Sequence, residues 1–186
     1  MRLIFVLLVF VSSQALSQNL PRSVDIPIQN IQQGTEVWCW AAVAQQIIYS
    51  LNGPGGTPAQ CALVAMANGA PPQACCTGYN PQCLRTGSIP QIQGLIRQFG
   101  GRYSSYAPPA DPMTLYRTLS SGKPIILQIQ TGMNSAHVVV LRGMHFAQGR
   151  YGVEAMLHIN DPLSYFTQPV SFGRIAPIWM SAIVVN

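Results

Sequence analysis

Gln33-Gly34-Thr35-Glu36-Val37-Trp38-Cys39-Trp40-Ala41-Ala42-Val43-Ala44-Gln45-Gln46-Ile47-Ile48-Tyr49-Ser50-Leu51-Asn52-Gly53 is the stretch on which the reading of this chain turns. From Cys39 onward, Trp40, Val43, Ala44, Ile47, Ile48 and Leu51 recur at spacings of three and four residues before Gly53. That period predicts a helix of about a dozen residues with Cys39 at its N-terminus. A thiol placed there meets the positive end of the helix dipole and unpaired backbone N–H groups, which favour thiolate over thiol. Cys39 is therefore a candidate nucleophile, and a nucleophile of this kind needs a base that is itself oriented by a third group.

Three histidines are available. His137 follows the small, flexible run Gly132-Met133-Asn134-Ser135-Ala136 and opens an apolar strand, so its ring is placed to project at a strand edge. His145 lies near the far end of that strand, and His158 sits in the middle of another, three residues before Asp161. Asp161, at a strand end and followed by Pro162, is placed to accept from an imidazole N–H and set its tautomer.

Five cysteines make an odd number. Cys61, Cys75, Cys76 and Cys83 cluster, whereas Cys39 stands alone upstream, so the economical division is two bridges and one free thiol. Adjacent cysteines bridge each other only with strain. Cys61 is thus expected to pair with Cys75 or Cys76, and Cys83 with the other; a zinc site built from the same four is the rival. Bridges belong in an oxidising compartment, and the N-terminus agrees. Met1-Arg2 is basic, Leu3 to Val11 is unbroken apolar chain, and Ser12 to Gln18 is small and polar, the layout of a signal peptide ending near Ser17. Nine residues rise only about 14 Å as a helix, too little to cross a bilayer core of about 30 Å. With no cysteine near the cut to carry a lipid, no stable membrane anchor is expected, and the mature chain is read as exported, either periplasmic or secreted. Loss of Arg2 would lower the net charge from +5 to +4.

Further along, a second short helix is expected over 59–67, closed by Asn68-Gly69, and then a turn-rich stapled loop to residue 88. Ser88-Ile89-Pro90-Gln91 predicts a capping box opening a helix to about Phe99, and Asp111-Pro112 starts another that ends at Gly122. After Lys123 the period changes to that of strands, over 124–130, 137–146, 153–160, 167–172 and 178–185. Helices grouped before strands argue for an α+β architecture with a helical lobe at about 28–122, a β lobe at about 123–186 and a cleft between them, all one domain over 18–186 after a signal peptide at 1–17. Only 8% of residues are charged and 48% are apolar, which excludes disorder. The arginines are spread singly, so the concentrated basic footprint of nucleic-acid binding is missing.

Three pieces in order carry a resemblance: Gln33-Gly34, four residues and Cys39-Trp40; a histidine after small residues at the head of Val138-Val139-Val140; and a carboxylate in the corner Asn160-Asp161-Pro162. Together they resemble the papain-like cysteine peptidases, in particular the compact bacterial branch similar to effector peptidases and to those that trim bacteriocin leaders, where Asp replaces the Asn of papain. The motifs cover about forty residues directly, and the order of elements agrees from about residue 28 to the end. The resemblance implies a two-lobe antiparallel fold, Cys39 as nucleophile, His137 as base and Asp161 as its orienter, with neighbouring Asn160 as the alternative. It further implies Gln33 as oxyanion donor beside the backbone N–H of Cys39, a peptide or protein substrate, and no metal or organic cofactor. Papain's second cysteine just before the nucleophile has no counterpart in residues 34–38. The stretch from Gln18 to Gln33 is too short for an inhibitory pro-segment, so restraint would fall to selectivity or to a cognate inhibitor or immunity protein. An amidase acting on cell-wall peptides and an inactive binding module on the same fold are the competing expectations.

Overall fold

The computed structural model describes residues 20–186, so the expected signal peptide lies outside the described residues. Chain order is β1 (Val24–Asp25), α1 (Cys39–Asn52), α2 (Gln60–Ala67), α3 (Ile89–Gln98), α4 (Pro112–Ser120), β2 (Ile125–Gly132), β3 (Ser135–Gly149), β4 (Gly152–Asn160), β5 (Val170–Ser171), α5 (Phe172–Ile175) and β6 (Trp179–Val184). Helix starts sit where local chemistry puts them. The Ser88 side chain accepts from the Gln91 backbone while Gln91 returns a bond to the Ser88 backbone, a reciprocal cap worth about 1 kcal/mol. Asp111 accepts from the N–H groups of Met113 and Thr114 at the head of α4.

The strands form one antiparallel sheet in the order β5-β4-β3-β2-β6, joined by β1. Gly143 and Met144 of β3 pair with β4 on one side and with Asp25 and Val24 on the other, so β1 continues the row that β2 leaves at Leu141. A β-carbon at Gly143 would stand 2.4 Å from the Val24 carbonyl oxygen, which makes glycine the residue that admits β1.

Both faces of the sheet are covered. Ile126, Val138, Val140 and Ile183 pack with α1, α2 and α3; Leu127, Val139, Leu141 and Leu157 pack with Leu115 and Leu119 of α4 and with Ile175. This explains the uninterrupted valine run of β3, since a strand buried on both sides has no reason to alternate. Although α4 precedes the sheet in the chain, it packs on the face opposite α1. The run at 167–172 expected as a strand narrows to β5: Pro169 donates no ladder bond, and from Phe172 the chain turns into α5.

The four clustered cysteines form the bridges Cys61–Cys76 and Cys75–Cys83, leaving Cys39 free. The α+β papain-like architecture expected from the sequence is the one observed. Among the described residues no helix is long and apolar enough to cross a membrane.

Candidate active site

Cys39 is the first residue of α1, and the N-cap position, Trp38, makes no side-chain cap bond. The N–H groups of the first turn therefore have no partner within the helix. The thiol opens onto a cleft of about 280 Å3 bounded by Trp40, Gly87 and Ile89 on the helical side and by Gln128, Ser135 and Val138 on the β2–β3 hairpin. Gly87 lies flat on the Trp40 indole, where a β-carbon would stand 2.1 Å from Cδ2. Gly87→Ala is accordingly expected to cost about 1–3 kcal/mol through displacement of that ring. Thermal denaturation checks this; an unchanged Tm would mean that the indole yields freely.

His137, near the start of β3, is 3% exposed, and its neighbours Ala136 and Val138 line the same cleft as Cys39. Its Nε2 lies 2.6 Å from Oδ1 of Asp161, which is fully buried just after β4. With Nε2 so engaged, Nδ1 is the ring atom left for the sulfur. Burial alone would lower the His137 pKa, but the hydrogen bond to Asp161, the hydrogen bond to Cys39 and the negative charge of both partners lift it to about 9.

Burial would raise the Asp161 carboxyl, yet the His137 hydrogen bond and the N–H groups of Leu163 and Phe166 hold it below the ordinary carboxylate value. Oδ1 accepts from Leu163 at 2.9 Å and Oδ2 from Phe166 at 3.2 Å. Asn160 is committed elsewhere: its amide donates to the Ile28 carbonyl and its oxygen accepts from Arg142 Nε. His145 and His158 face each other, Nδ1 to Nε2 at 2.8 Å, so neither of these rings meets Asp161.

Gln33 lies in the loop that enters α1. Its Nε2 donates to the Thr35 carbonyl at 2.7 Å, which anchors the amide and leaves a second N–H, while Oε1 is buried without a hydrogen-bond partner. This loop is tied to the carboxylate corner: Gln33 N donates to the Pro162 carbonyl, Asn30 Nδ2 to the Asp161 carbonyl and Ser164 Oγ to Gln32 Oε1. Ser164 adopts a φ of 59°, the one non-glycine residue in the left-handed region among the described residues.

Three supporting amides were not read from the sequence. Gln46, fully buried on α1, donates to Asn30 Oδ1 and to the Ile31 carbonyl. Gln60, at the start of α2, clamps the loop from the other side by accepting from Gly34 N and donating to the Gln32 carbonyl. Tyr165 stands edge-on to His137 with ring centroids 5.9 Å apart. Gln45 and Gln46 stand side by side in α1 and nothing local marked Gln46 as the buried one, nor did anything mark Asn30 or Tyr165.

A free thiol at a helix head, an imidazole from the antiparallel sheet whose neighbours line the same cleft, and a buried carboxylate behind that ring make up the cluster. The family comparison agrees: the model of the Peptidase C39-like family matches residues 25–172, a span from β1 to α5, and the chain belongs to that family. No curated protein matches it.

Proposed function

We propose that this chain is an exported cysteine peptidase that hydrolyses peptide bonds through Cys39, His137 and Asp161, with Gln33 in the oxyanion hole. The observation that carries the reading is the buried His137–Asp161 pair beside the one unbridged cysteine, at a cleft on the head of α1. The Cys39 thiolate attacks the carbonyl carbon of the scissile bond. The developing oxyanion takes hydrogen bonds from the Cys39 backbone N–H and the second N–H of the Gln33 amide, whose anchoring by Thr35 supports this role. Protonated His137 gives its Nδ1 proton to the leaving amine, which departs and leaves an acyl-enzyme. Water then attacks the thioester, His137 takes its proton, and the acid product leaves with the thiolate restored.

Both bridges suit an oxidising compartment and so support export. The substrate is a peptide or protein, and control falls to cleft selectivity or to a protein inhibitor. One mass spectrum of the purified exported protein after treatment with an epoxide inhibitor of thiol peptidases tests the reading. The expected result is a start near Gln18, two intact bridges and a single adduct on Cys39. No adduct on Cys39 would favour a silent binding module, and an intact residue 1–17 segment would end the export claim.

A further inference from the structure

The reactive sulfur sits between two tryptophans, and both indoles are held by the same distant segment. Trp38, the N-cap of α1, donates Nε1–H to the main-chain carbonyl of Cys83 at 2.7 Å, and Trp40 donates to the carbonyl of Arg85 at 3.3 Å. Both rings are buried. Beyond these two bonds, the first turn of α1 has no side-chain cap to fix its orientation.

The acceptors lie in the connection between α2 and α3. Apart from one 3-10 turn at Pro72–Cys75, that connection has no regular structure of its own and is stapled by Cys61–Cys76 and Cys75–Cys83. Cys83, whose carbonyl holds Trp38, is itself half of a bridge. Two residues past Arg85 the chain presses Gly87 against the Trp40 ring, and Thr86, Gly87 and Ser88 then form one wall of the cleft. Loss of the Cys75–Cys83 bridge would therefore free the two carbonyls and the cleft wall together.

We propose that the bridged segment between α2 and α3 positions the nucleophile: the Cys75–Cys83 disulfide fixes the carbonyls of Cys83 and Arg85, these hold Trp38 and Trp40, and the two indoles set the first turn of α1 on which Cys39 is carried. This rests on Cys39 being the nucleophile. Trp38 and the bridge touch no substrate in this account and are positioning groups, and Trp40 positions as well as bounding the cleft.

A chemical consequence is that the protein makes opposite redox demands in one site, since Cys39 works reduced and Cys75–Cys83 works oxidised. A cavity of about 350 Å3 lined by Cys75, Cys83, Asn80 and Arg85 gives access to the bridge. A small dithiol attacks one bridge sulfur as thiolate and forms a mixed disulfide. Its second thiol then closes on the first, so the bridge gains two electrons and two protons while the dithiol becomes a cyclic disulfide. Activity should accordingly fall as a reductant strong enough to open the bridge is added, although Cys39 itself stays reduced.

The test uses two variants of the full mature chain, Trp38→Phe, which keeps an aromatic side chain but removes the N–H together with the five-membered ring, and the pair Cys75→Ser with Cys83→Ser. Three quantities are read at temperatures well below each Tm: the rate constant for alkylation of Cys39 by iodoacetamide, and kcat and KM on a peptide. Misplacing a catalytic group by about an ångström costs up to about a hundredfold. Trp38→Phe is expected to lower both the alkylation rate and kcat by about tenfold with KM little changed, and the paired variant also to raise KM because the Thr86–Ser88 wall moves. A role in stability alone would lower Tm and leave alkylation per folded molecule untouched. Alkylation and kcat within about twofold of wild type in folded Trp38→Phe overturn the proposal, and should the paired variant not fold, Trp38→Phe decides alone. A wild-type Cys39 that resists iodoacetamide overturns the nucleophile reading and this proposal with it, whereas a reactive wild-type Cys39 indifferent to these changes overturns the positioning alone.

Discussion

Replacement of Cys39 by alanine is expected to lower peptide turnover by about four orders of magnitude or more, while the fold survives. The size of the loss follows from the way such residues act as a unit: without the sulfur there is no acyl-enzyme, and His137 has nothing to activate. The survival of the fold follows from position. Cys39 is free, partly exposed and first in its helix, and alanine is the best helix former, so little packing and no cap bond is lost. A second readout separates a dead site from a collapsed one. The His137 pKa of about 9 draws on the hydrogen bond and charge of Cys39 as well as on Asp161. In Cys39→Ala it should fall, because the hydrogen bond and charge of Cys39 are lost while burial and the Asp161 bond remain. NMR titration of the imidazole measures this. Turnover that persists in the variant, or an imidazole that does not move, would place the chemistry elsewhere.

How much of this was legible in the sequence depends on whether the signal is local. The head of α1, the Ser88–Gln91 capping box and the Asp111 cap are carried by neighbours within one helical turn, and each appears where the pattern placed it. The choice of His137 among three histidines, and the preference for two bridges and a free Cys39, drew on spacing and on the resemblance, and the geometry brings His137 to Asp161. Connectivity was beyond reach, because Cys75 and Cys76 are neighbours in the chain and only the path of 68–88 over α2 decides which of them meets Cys61. β1 was missed for a similar reason: Val24–Asp25 is a strand only because Gly143 leaves room beside β3, some 120 positions away. The amide network of Asn30, Gln46 and Gln60 was missed because surface and buried glutamines look alike in a sequence. Its effect is visible only once the loop carrying Gln33 and the corner carrying Asp161 are side by side. That network accounts for how a loop without regular structure holds its place next to the helix head.

The alkaline limit of activity is expected to lie near pH 9 and to move down when Asp161 is changed. His137 has a pKa of about 9 in the fold against 6.5 unperturbed, so its contribution to stability is complete below pH 6.5 and is lost as pH rises through about 9. Asp161 has the opposite sense: held below its ordinary 3.8, it contributes above that value and loses its contribution as pH falls through the lower folded pKa. The two therefore support the fold together across the neutral range, where the ring is protonated and the carboxyl ionised. The proposed mechanism needs that protonated ring to discharge the leaving amine, so on that reading kcat/KM should fall as pH rises through about 9. Asp161→Asn keeps the volume and keeps an oxygen for His137 Nε2 and Leu163 N, but its amide NH2 then meets the Phe166 N–H that Oδ2 accepted. One hydrogen bond and the negative charge are lost, so this variant should retain measurable activity with its alkaline limb displaced toward 6.5. Asp161→Ala also leaves the part-buried N–H groups of Leu163 and Phe166 without their acceptor, and unties the ring. It should lose about a hundred- to ten-thousandfold in kcat and several degrees in Tm. pH–rate profiles of the two variants and the parent decide the matter: alkaline limbs that coincide in all three would mean that Asp161 does not set the charge on His137, whatever the distance between them.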